Sequence, residues 1–241
     1  MKASPLACIA LLVTTTLFAS TSNAGITLDG TRVVFSAPSK EASIIVKNQA
    51  STDIMVQSWV EADQKSLSDD VPFAITPPLV RLGGQKQQVL RILYQGQGLP
   101  TDKESVFWLA VQEIPQKAKD ENALQIAIRQ RIKLFYRPAG LTEKAADAAK
   151  SLQWKLARQG DKTELAVTNP SAFHVSFAGS KVTLRSGKGA YTAPAEMLAP
   201  GATRMFAVKG APGSALGAAT VEFDSINDYG GLDRITSTLS N

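Results

Sequence analysis

From residue 25 onward the chain is a series of short runs rich in Val, Ile, Phe and Thr, separated by Gly, Pro, Asp or Ser. Runs in which apolar and polar residues alternate predict β-strands, because successive side chains of a strand point to opposite faces of a sheet. Seven such runs within about 114 residues are typical of an immunoglobulin-like sandwich. The predicted strands of the first half are Thr27–Phe35, Ala42–Asn48, Ile54–Glu61, Phe73–Leu82, Gln87–Tyr94, Ser105–Ile114 and Leu124–Tyr136.

A hinge and a second series of strands are predicted in the other half. Arg137-Pro138-Ala139-Gly140 has the composition of a hinge, and the Ala-rich stretch Thr142–Lys150 after it predicts a helical turn. With 241 residues, two domains are expected: residues 25–138 and residues 139–241. The second series starts near Leu152 and includes Glu164–Thr168, Val175–Ala178, Lys181–Arg185, Thr203–Val208 and Ala219–Ser225.

Residues 1–24 have the pattern of an export signal. Lys2 gives a positive start, an apolar stretch follows, and Ser22-Asn23-Ala24 supplies the small residues of a cleavage site. The apolar stretch is too short to span a bilayer comfortably, so membrane insertion is not expected. We expect cleavage after Ala24, which removes the single cysteine, Cys8, and leaves a chain without a disulfide.

The composition disfavours several classes of function. One Cys and one His exclude a Cys/His zinc site and a Cys–His nucleophile, and no metal or other cofactor is expected. The net charge of +5 is modest and its Lys and Arg residues are spread along the sequence, which argues against nucleic acid as a partner. The single histidine, His174, is interpreted as structural, and Trp59 and Trp108 are expected in a sandwich core.

The most unusual run is Ala123–Tyr136, fourteen residues with period two. It is long for a strand, and it follows directly on the charged loop 116–122. One parity is aliphatic and the other is basic or aromatic. The aliphatic positions are Leu124, Ile126, Ile128, Ile132 and Leu134, and the other parity includes Arg129, Arg131, Lys133 and Phe135.

Four further segments, together with this run, resemble the signature of the periplasmic pilus (fimbrial) chaperones of the chaperone–usher pathway. They occur in the family's order and cover nearly the whole chain after residue 24. One departure is Ala110, at a position where the family usually has Asn. The matching segments are Leu28-Asp29-Gly30-Thr31-Arg32-Val33, Leu99–Trp108 with Val111–Pro115, Ile132–Pro138, and Ile226-Asn227-Asp228-Tyr229-Gly230-Gly231.

The resemblance implies two immunoglobulin-like domains with a cleft between them, and a client that is a pilus subunit lacking the last strand of its own sandwich. The chaperone of this family lends a strand that fills the client's groove, the mode of recognition known as strand addition. By residue match, the donated side chains are Leu124, Ile126 and Ile128. Arg32 and Lys133 match the pair that binds the client's terminal carboxylate.

A third set, Glu104, Arg137 and Asp228, matches residues that pair between the domains. The short loop after Pro115, which has no Cys, resembles the short-loop subclass of the family. The resemblance further implies a periplasmic location and delivery of the client to an outer-membrane usher, and it leaves self-association of the free protein open.

Two other classes of function remain as alternatives. A structural pilus or surface protein with two immunoglobulin-like domains fits poorly, because pilus subunits are usually shorter and carry a disulfide. An enzyme would need an acid–base pair such as Glu104 and Asp228, but Arg137 in the same set would hold both carboxylates ionised. No catalytic residue is therefore assigned.

Overall fold

The protein folds into two β-sandwiches joined at a hinge, which confirms the all-β, two-domain fold class. The computed structural model describes residues 25–63, 71–116, 126–159, 162–211 and 219–239. Two of the described sheets form the first sandwich and two form the second.

The first sandwich packs a four-stranded sheet in the order β1-β3-β7-β5 against a five-stranded sheet in the order β2-β9-β8-β4-β6. Alternate aliphatic and aromatic side chains of both sheets fill the space between them, among them Phe35, Val56, Leu109 and Leu134. The strands are β1 Ile26–Leu28, β2 Arg32–Ser36, β3 Glu41–Asn48, β4 Ile54–Ala62, β5 Phe73–Thr76, β6 Leu79–Leu82, β7 Gln87–Tyr94, β8 Ser105–Ile114 and β9 Arg129–Arg137.

The second sandwich packs a three-stranded sheet in the order β10-β11-β14 against a four-stranded sheet in the order β13-β12-β15-β16. Its core surrounds the fully buried Trp154. A short helix, α1 Ala145–Ala148, lies within the predicted helical turn. The strands are β10 Gln153–Gln159, β11 Lys162–Thr168, β12 Lys181–Ser186, β13 Gly189–Pro194, β14 Thr203–Ala207, β15 Ala219–Ile226 and β16 Leu232–Thr238.

Several predicted strand boundaries are wrong for identifiable reasons. The predicted strand Thr27–Phe35 is interrupted at residues 29–31, because β1 pairs in one sheet and β2 in the other. The segment Val175–Ala178 forms only isolated bridges and a 3-10 turn. Strands β13 and β16 were missed, because Gly, Ala and Thr weaken the apolar alternation that marks a strand.

The predicted strand Phe73–Leu82 is divided by two prolines. Thr76–Pro77 is a cis peptide bond, and the chain passes there from β5 in the four-stranded sheet to β6 in the five-stranded sheet. Proline has no N–H for a sheet ladder, so it occurs at bends and edges. The alternation of the run had not indicated this change of sheet.

One further feature of the backbone bears on the site. Gly230 has φ +80°, and a side-chain carbon there would lie 2.4 Å from Thr31 Oγ1, so the two domains approach each other closely at this glycine. Within the described residues, no helix is long and apolar enough to cross a membrane.

Candidate functional site

One edge of the five-stranded sheet lacks a partner along part of its length. Strand β2 pairs with β9 in parallel only from Arg32 opposite Lys133 to Ser36 opposite Arg137. Residues 129–132 of β9 are paired with β8 on one side, and among the described strands none pairs with their other side. Unpaired backbone groups at such an edge are available to an added strand.

Residues 126–128, directly before β9, do not form a strand in the free protein, which corrects the predicted strand Leu124–Tyr136 at these positions. Ile126 is 68% exposed and lies outside any strand, while Ile128 is half-buried. Glu113 holds this segment: its Oε1 accepts a hydrogen bond from the Ile128 N–H at 3.2 Å, and its own N–H donates to the Ile128 carbonyl at 3.0 Å. The third predicted donor residue, Leu124, lies outside the described residues.

Arg32 and Lys133 lie side by side where β2 meets β9, since they are directly paired in the parallel register. Each reaches towards the second domain: Arg32 Nη1 donates to the Ile226 carbonyl at 3.0 Å, and Lys133 Nζ donates to Ser176 Oγ at 3.3 Å. Both acceptors are neutral. Among the described residues neither cation makes a salt bridge, and Arg32 Nε is buried without a hydrogen-bond partner.

Burial makes this pair of cations electrostatically unfavourable. It lowers the pKa of Lys133, the charge of Arg32 lowers it further, and Asp63 acts in the opposite direction. Burial also lowers the pKa of Arg32, although Asp228 and Glu104 partly offset the effect. Two desolvated cations with neutral acceptors favour the binding of an anion, and a carboxylate matches a guanidinium geometrically.

Arg137 joins the two domains through the other predicted set. Its Nε donates to Glu104 Oε1 at 2.8 Å, and its Nη1 and Nη2 donate to the two carboxylate oxygens of Asp228 at 2.6 and 2.7 Å. The Glu104 side chain is only 1% exposed. The guanidinium also stacks over the Phe173 ring at 5.2 Å. The structure therefore brings together three residues that are far apart in sequence.

His174 belongs to the same interdomain network, which the sequence interpretation missed. Its backbone N–H donates to Glu104 Oε2 at 2.8 Å, and its Nδ1 lies 2.8 Å from the same oxygen. Its ring lies 5.7 Å from that of Phe135 on β9. Nothing in the local sequence indicated this role, because Glu104 is 70 positions away.

Asp228 is not suited to act as a proton donor at neutral pH. Its hydrogen bonds with Arg137 and the charges of Arg137 and Arg32 lower its pKa below the ordinary 3.8, against the raising effect of burial. The acid–base interpretation of Glu104 and Asp228 thus has no support from this geometry. Within the described residues, no cluster of His, Cys, Asp or Glu has the arrangement of a metal site.

The lowered pKa of Asp228 predicts a loss of stability in acid. Because the folded state favours the ionised form, this contribution is complete above pH 3.8 and disappears as the pH falls through the lower folded-state pKa. Urea unfolding between pH 7 and pH 2 should show a stability difference between the protein and Asp228→Asn that vanishes at low pH. The exposed Asp102→Asn should differ little from the parent at any pH, and a pH-independent Asp228→Asn effect would contradict the linkage.

A row of cations and aromatic rings covers the outer face of the five-stranded sheet. Trp59 and Trp108 lie on this face, so their expected placement in the core is wrong. Arg129 stacks on the Trp59 ring at 4.7 Å and Arg131 on the Trp108 ring at 4.2 Å. Both arginines bind the carboxylate of Glu61, Arg131 at 2.8 Å, and Ala110 lies between Trp59 and Arg131 in the sheet register.

Two hollows lie between the domains, one on each side of the contacts that join them. Arg32, Arg137 and Asp228 contribute to a cavity of about 590 Å³. Lys133 and Trp108 line a cleft of about 1080 Å³ that also includes Met197 of the second domain. The cleft is large enough for the end of an extended polypeptide.

Comparisons with known families place both halves of the chain. Residues 25–142 match the model of the pili and flagellar-assembly chaperone PapD N-terminal domain. Residues 147–237 match the model of the pili assembly chaperone PapD C-terminal domain. The two matches follow one another along the chain and divide it close to the hinge.

Individual relatives cover most of the chain. The probable fimbrial chaperone YadV of Escherichia coli strain K12 is 37% identical over 228 residues, which are 91% of this chain and 92% of the relative. The chaperone protein LpfB of Salmonella typhimurium strain LT2 is 43% identical over 177 residues, 71% of this chain and 73% of the relative.

Solved structures show the same two-domain arrangement. The crystal structure of the YadV chaperone has a TM-score of 0.76 at 36% identity, covering 89% of this chain and 99% of the other. The Salmonella enterica SafA pilin in complex with the SafB chaperone matches with a TM-score of 0.74 at 29% identity, covering 91% of this chain and 99% of the other.

Proposed function

We propose a mechanism of subunit binding for this chain, which belongs to the family of pili-assembly chaperones. The chain is a fimbrial chaperone whose partners are pilus subunits, and in its family the subunit passes to an outer-membrane usher. The subunit binds when one of its own strands pairs with the free edge of β9. Relatives named as chaperones favour this function over that of a structural surface protein.

The observation that carries the mechanism is the free edge of β9 beside the two desolvated cations. Residues 129–132 are unpaired on one side and follow directly on the segment that holds the exposed Ile126, so backbone groups and an apolar side chain are offered on one stretch of chain. Arg32 and Lys133 stand at the end of this edge without a carboxylate partner among the described residues. A client strand paired with the edge places its terminal carboxylate between them.

The donated side chains supply the apolar part of the binding energy. Ile126, Ile128 and Leu124 share one parity, and burial of an isoleucine side chain stabilises a complex by about 1.5–3 kcal/mol before ordering costs. We further propose that the segment 126–128 extends β9 when the client binds, because an added strand would pair its backbone on the free side. A donor segment that is not a strand before binding pays this ordering cost at that moment.

The remaining assignments follow from the same function. We propose that residues 1–24 direct the protein to the periplasm, where the client would otherwise expose its groove. For the two sandwiches we propose the domain bounds 25–138 and 139–241, with Glu104, Arg137 and Asp228 fixing the angle between the domains. The chain is placed in the short-loop subclass on the length of the segment after Pro115.

Replacing Ile126 with Asp tests the donor assignment. The side chain is exposed in the free protein, so circular dichroism and the melting temperature should be unchanged. A charge entering an apolar groove without a partner should reduce capture of the pilus subunit by at least ~10-fold. Co-purification of the subunit from cells expressing each variant measures this loss.

The matched control is Leu79→Asp. Leu79 is 53% exposed on β6, the opposite edge of the same sheet, so it receives the same charge away from the donor edge. Capture of the subunit should stay at the parent level in this variant. Equal capture by Ile126→Asp and the parent would contradict the donor assignment, and unfolding of Ile126→Asp would make residue 126 part of the protein's own core.

A further inference from the structure

The pattern of the donor segment does not by itself define where the client strand stops. Leu124, Ile126 and Ile128 are similar aliphatic residues at two-residue spacing. A client strand displaced by two residues keeps every side chain on its original face, because the side-chain period of a strand is two. Apolar contacts in the two registers are therefore alike, and another feature has to distinguish them.

The cations of β9 repeat with the same spacing as the donor residues. Arg129, Arg131 and Lys133 alternate along one face, and two residues of a strand span about 6.6 Å. If the client's carboxylate binds at Lys133 and its strand lies beside the residues before Lys133, the client runs parallel to β9. A carboxylate bound instead at Arg131 would correspond to a displacement of two residues towards Ile126.

Glu61 keeps Arg129 and Arg131 from binding the client's carboxylate in place of Lys133. It binds both guanidinium groups from β4, two strands away from the free edge, and Trp59 also donates its indole N–H to Glu61 Oε1 at 2.7 Å. The stacking on Trp59 and Trp108 draws the arginines in the same direction, over the sheet and away from the edge. Lys133 differs from both, because its Nζ reaches Ser176 across the cleft.

We propose that Glu61 is a specificity-determining residue that fixes the register of the client strand by occupying Arg129 and Arg131, so that only Arg32 and Lys133 accept the client's carboxylate. This inference rests on the proposed carboxylate anchoring. Glu61 does not touch the client; it acts through the two arginines. The small side chain of Ala110 lies between Trp59 and Arg131 and leaves room for the arginines to lie across β8.

The test compares a peptide that ends in a free carboxylate with the same peptide ending in an amide. The peptide copies the last strand of the pilus subunit that co-purifies with the protein, and the ratio of the two affinities measures recognition of the carboxylate. We expect a ratio of about 10 or more for the parent protein and a ratio below ~3 for Lys133→Ala, which keeps only Arg32 at the anchor. Glu61→Gln combined with Lys133→Ala should restore a ratio of at least ~5, because the released Arg131 then binds the carboxylate.

The position of the bound peptide gives a second readout. A photoreactive residue near the peptide's end should cross-link to β9 two residues closer to Ile126 in the double variant than in the parent. Addition of Arg131→Gln should abolish both the restored ratio and the shifted cross-link. The control is Glu41→Gln with Lys133→Ala, since Glu41 forms an exposed ion pair with Arg91 on the other sheet and its loss should restore nothing.

The outcomes separate this inference from the mechanism on which it rests. Equal affinity of the parent for both peptides would refute carboxylate anchoring, and the role of Glu61 with it. A clear preference of the parent for the free carboxylate, with no restored ratio and no shifted cross-link in the double variant, would overturn the role of Glu61 alone.

Discussion

Replacing Arg137 with Ala should lower the free energy of unfolding by about 3–5 kcal/mol, even without a client. The substitution leaves Glu104, whose side chain is only 1% exposed, without its cation, and it removes both hydrogen bonds to Asp228. Glu104 keeps its contacts with His174, but a buried carboxylate without a cation costs more than the ion pair contributed, because its desolvation is no longer fully compensated. The Asp228 side chain is 38% exposed, so the loss of its ion pair with Arg137 lowers the free energy of unfolding less than the loss at Glu104 does.

Urea unfolding of the purified variants measures this loss, and the amount of each variant in cells without pilus subunits should follow it. Arg137→Lys should be intermediate, since a lysine keeps the charge but cannot make the paired contact with Asp228. Arg91→Ala is the control, because Arg91 forms an ion pair with Glu41 at an exposed site where the loss should stay below ~1 kcal/mol. An Arg137→Ala loss as small as that of the control would make the interdomain network energetically unimportant.

The strand content was predictable where the environment of a run is uniform along its length. Strands β7 and β8 have the predicted bounds, since each lies within a single sheet. The pattern was insufficient where a run crosses from one sheet to the other, as at Pro77, because alternation describes faces and not partners. The start of β9 at Arg129 also escaped prediction, because Ile126 and Ile128 alternate correctly but have no core of their own to pack against.

The site residues depended on the resemblance, because tertiary contacts bring them together. Two cations such as Arg32 and Lys133 carry no local signal in the sequence, and only the parallel pairing of β2 with β9 places them side by side. His174 and Glu61 were missed for the same reason, since their partners lie about 70 positions away in sequence. The aromatic residues on the outer face were expected in the core, because the sequence does not show what covers them. In the structure stacked arginines cover them, and not a second sheet.

In the proposed mechanism, the lack of a carboxylate partner for Arg32 and Lys133 lets a bound client carboxylate add to the free energy of binding. Burial lowers the pKa of Lys133, and Arg32 lowers it further, so the free protein holds the pair at a cost in free energy. A bound carboxylate would reverse both effects by favouring the charged form. Binding therefore gains the relief of this repulsion in addition to the new hydrogen bonds.

The double substitution Arg32→Ala, Lys133→Ala should consequently abolish client binding while leaving the fold intact. Loss of two charge-assisted hydrogen bonds to the carboxylate should weaken binding by about two orders of magnitude or more. The free energy of unfolding should change by less than ~1 kcal/mol, since relief of the repulsion offsets the lost contacts with Ile226 and Ser176. Co-purification of the pilus subunit and surface piliation measure the loss of binding, and urea unfolding measures the change in stability.

A control with the same change in net charge is Lys40→Ala with Lys188→Ala, because both lysines are exposed, one in each domain. It should bind the subunit as the parent does, which would exclude a general effect of positive charge on encounter with the client. If the Arg32→Ala, Lys133→Ala protein captured subunits and supported pili at the parent level, the carboxylate could not be the anchor. The client would then be held by the free edge of β9 and the donor residues without a charged end point. In that case Ile126→Asp alone should abolish client binding.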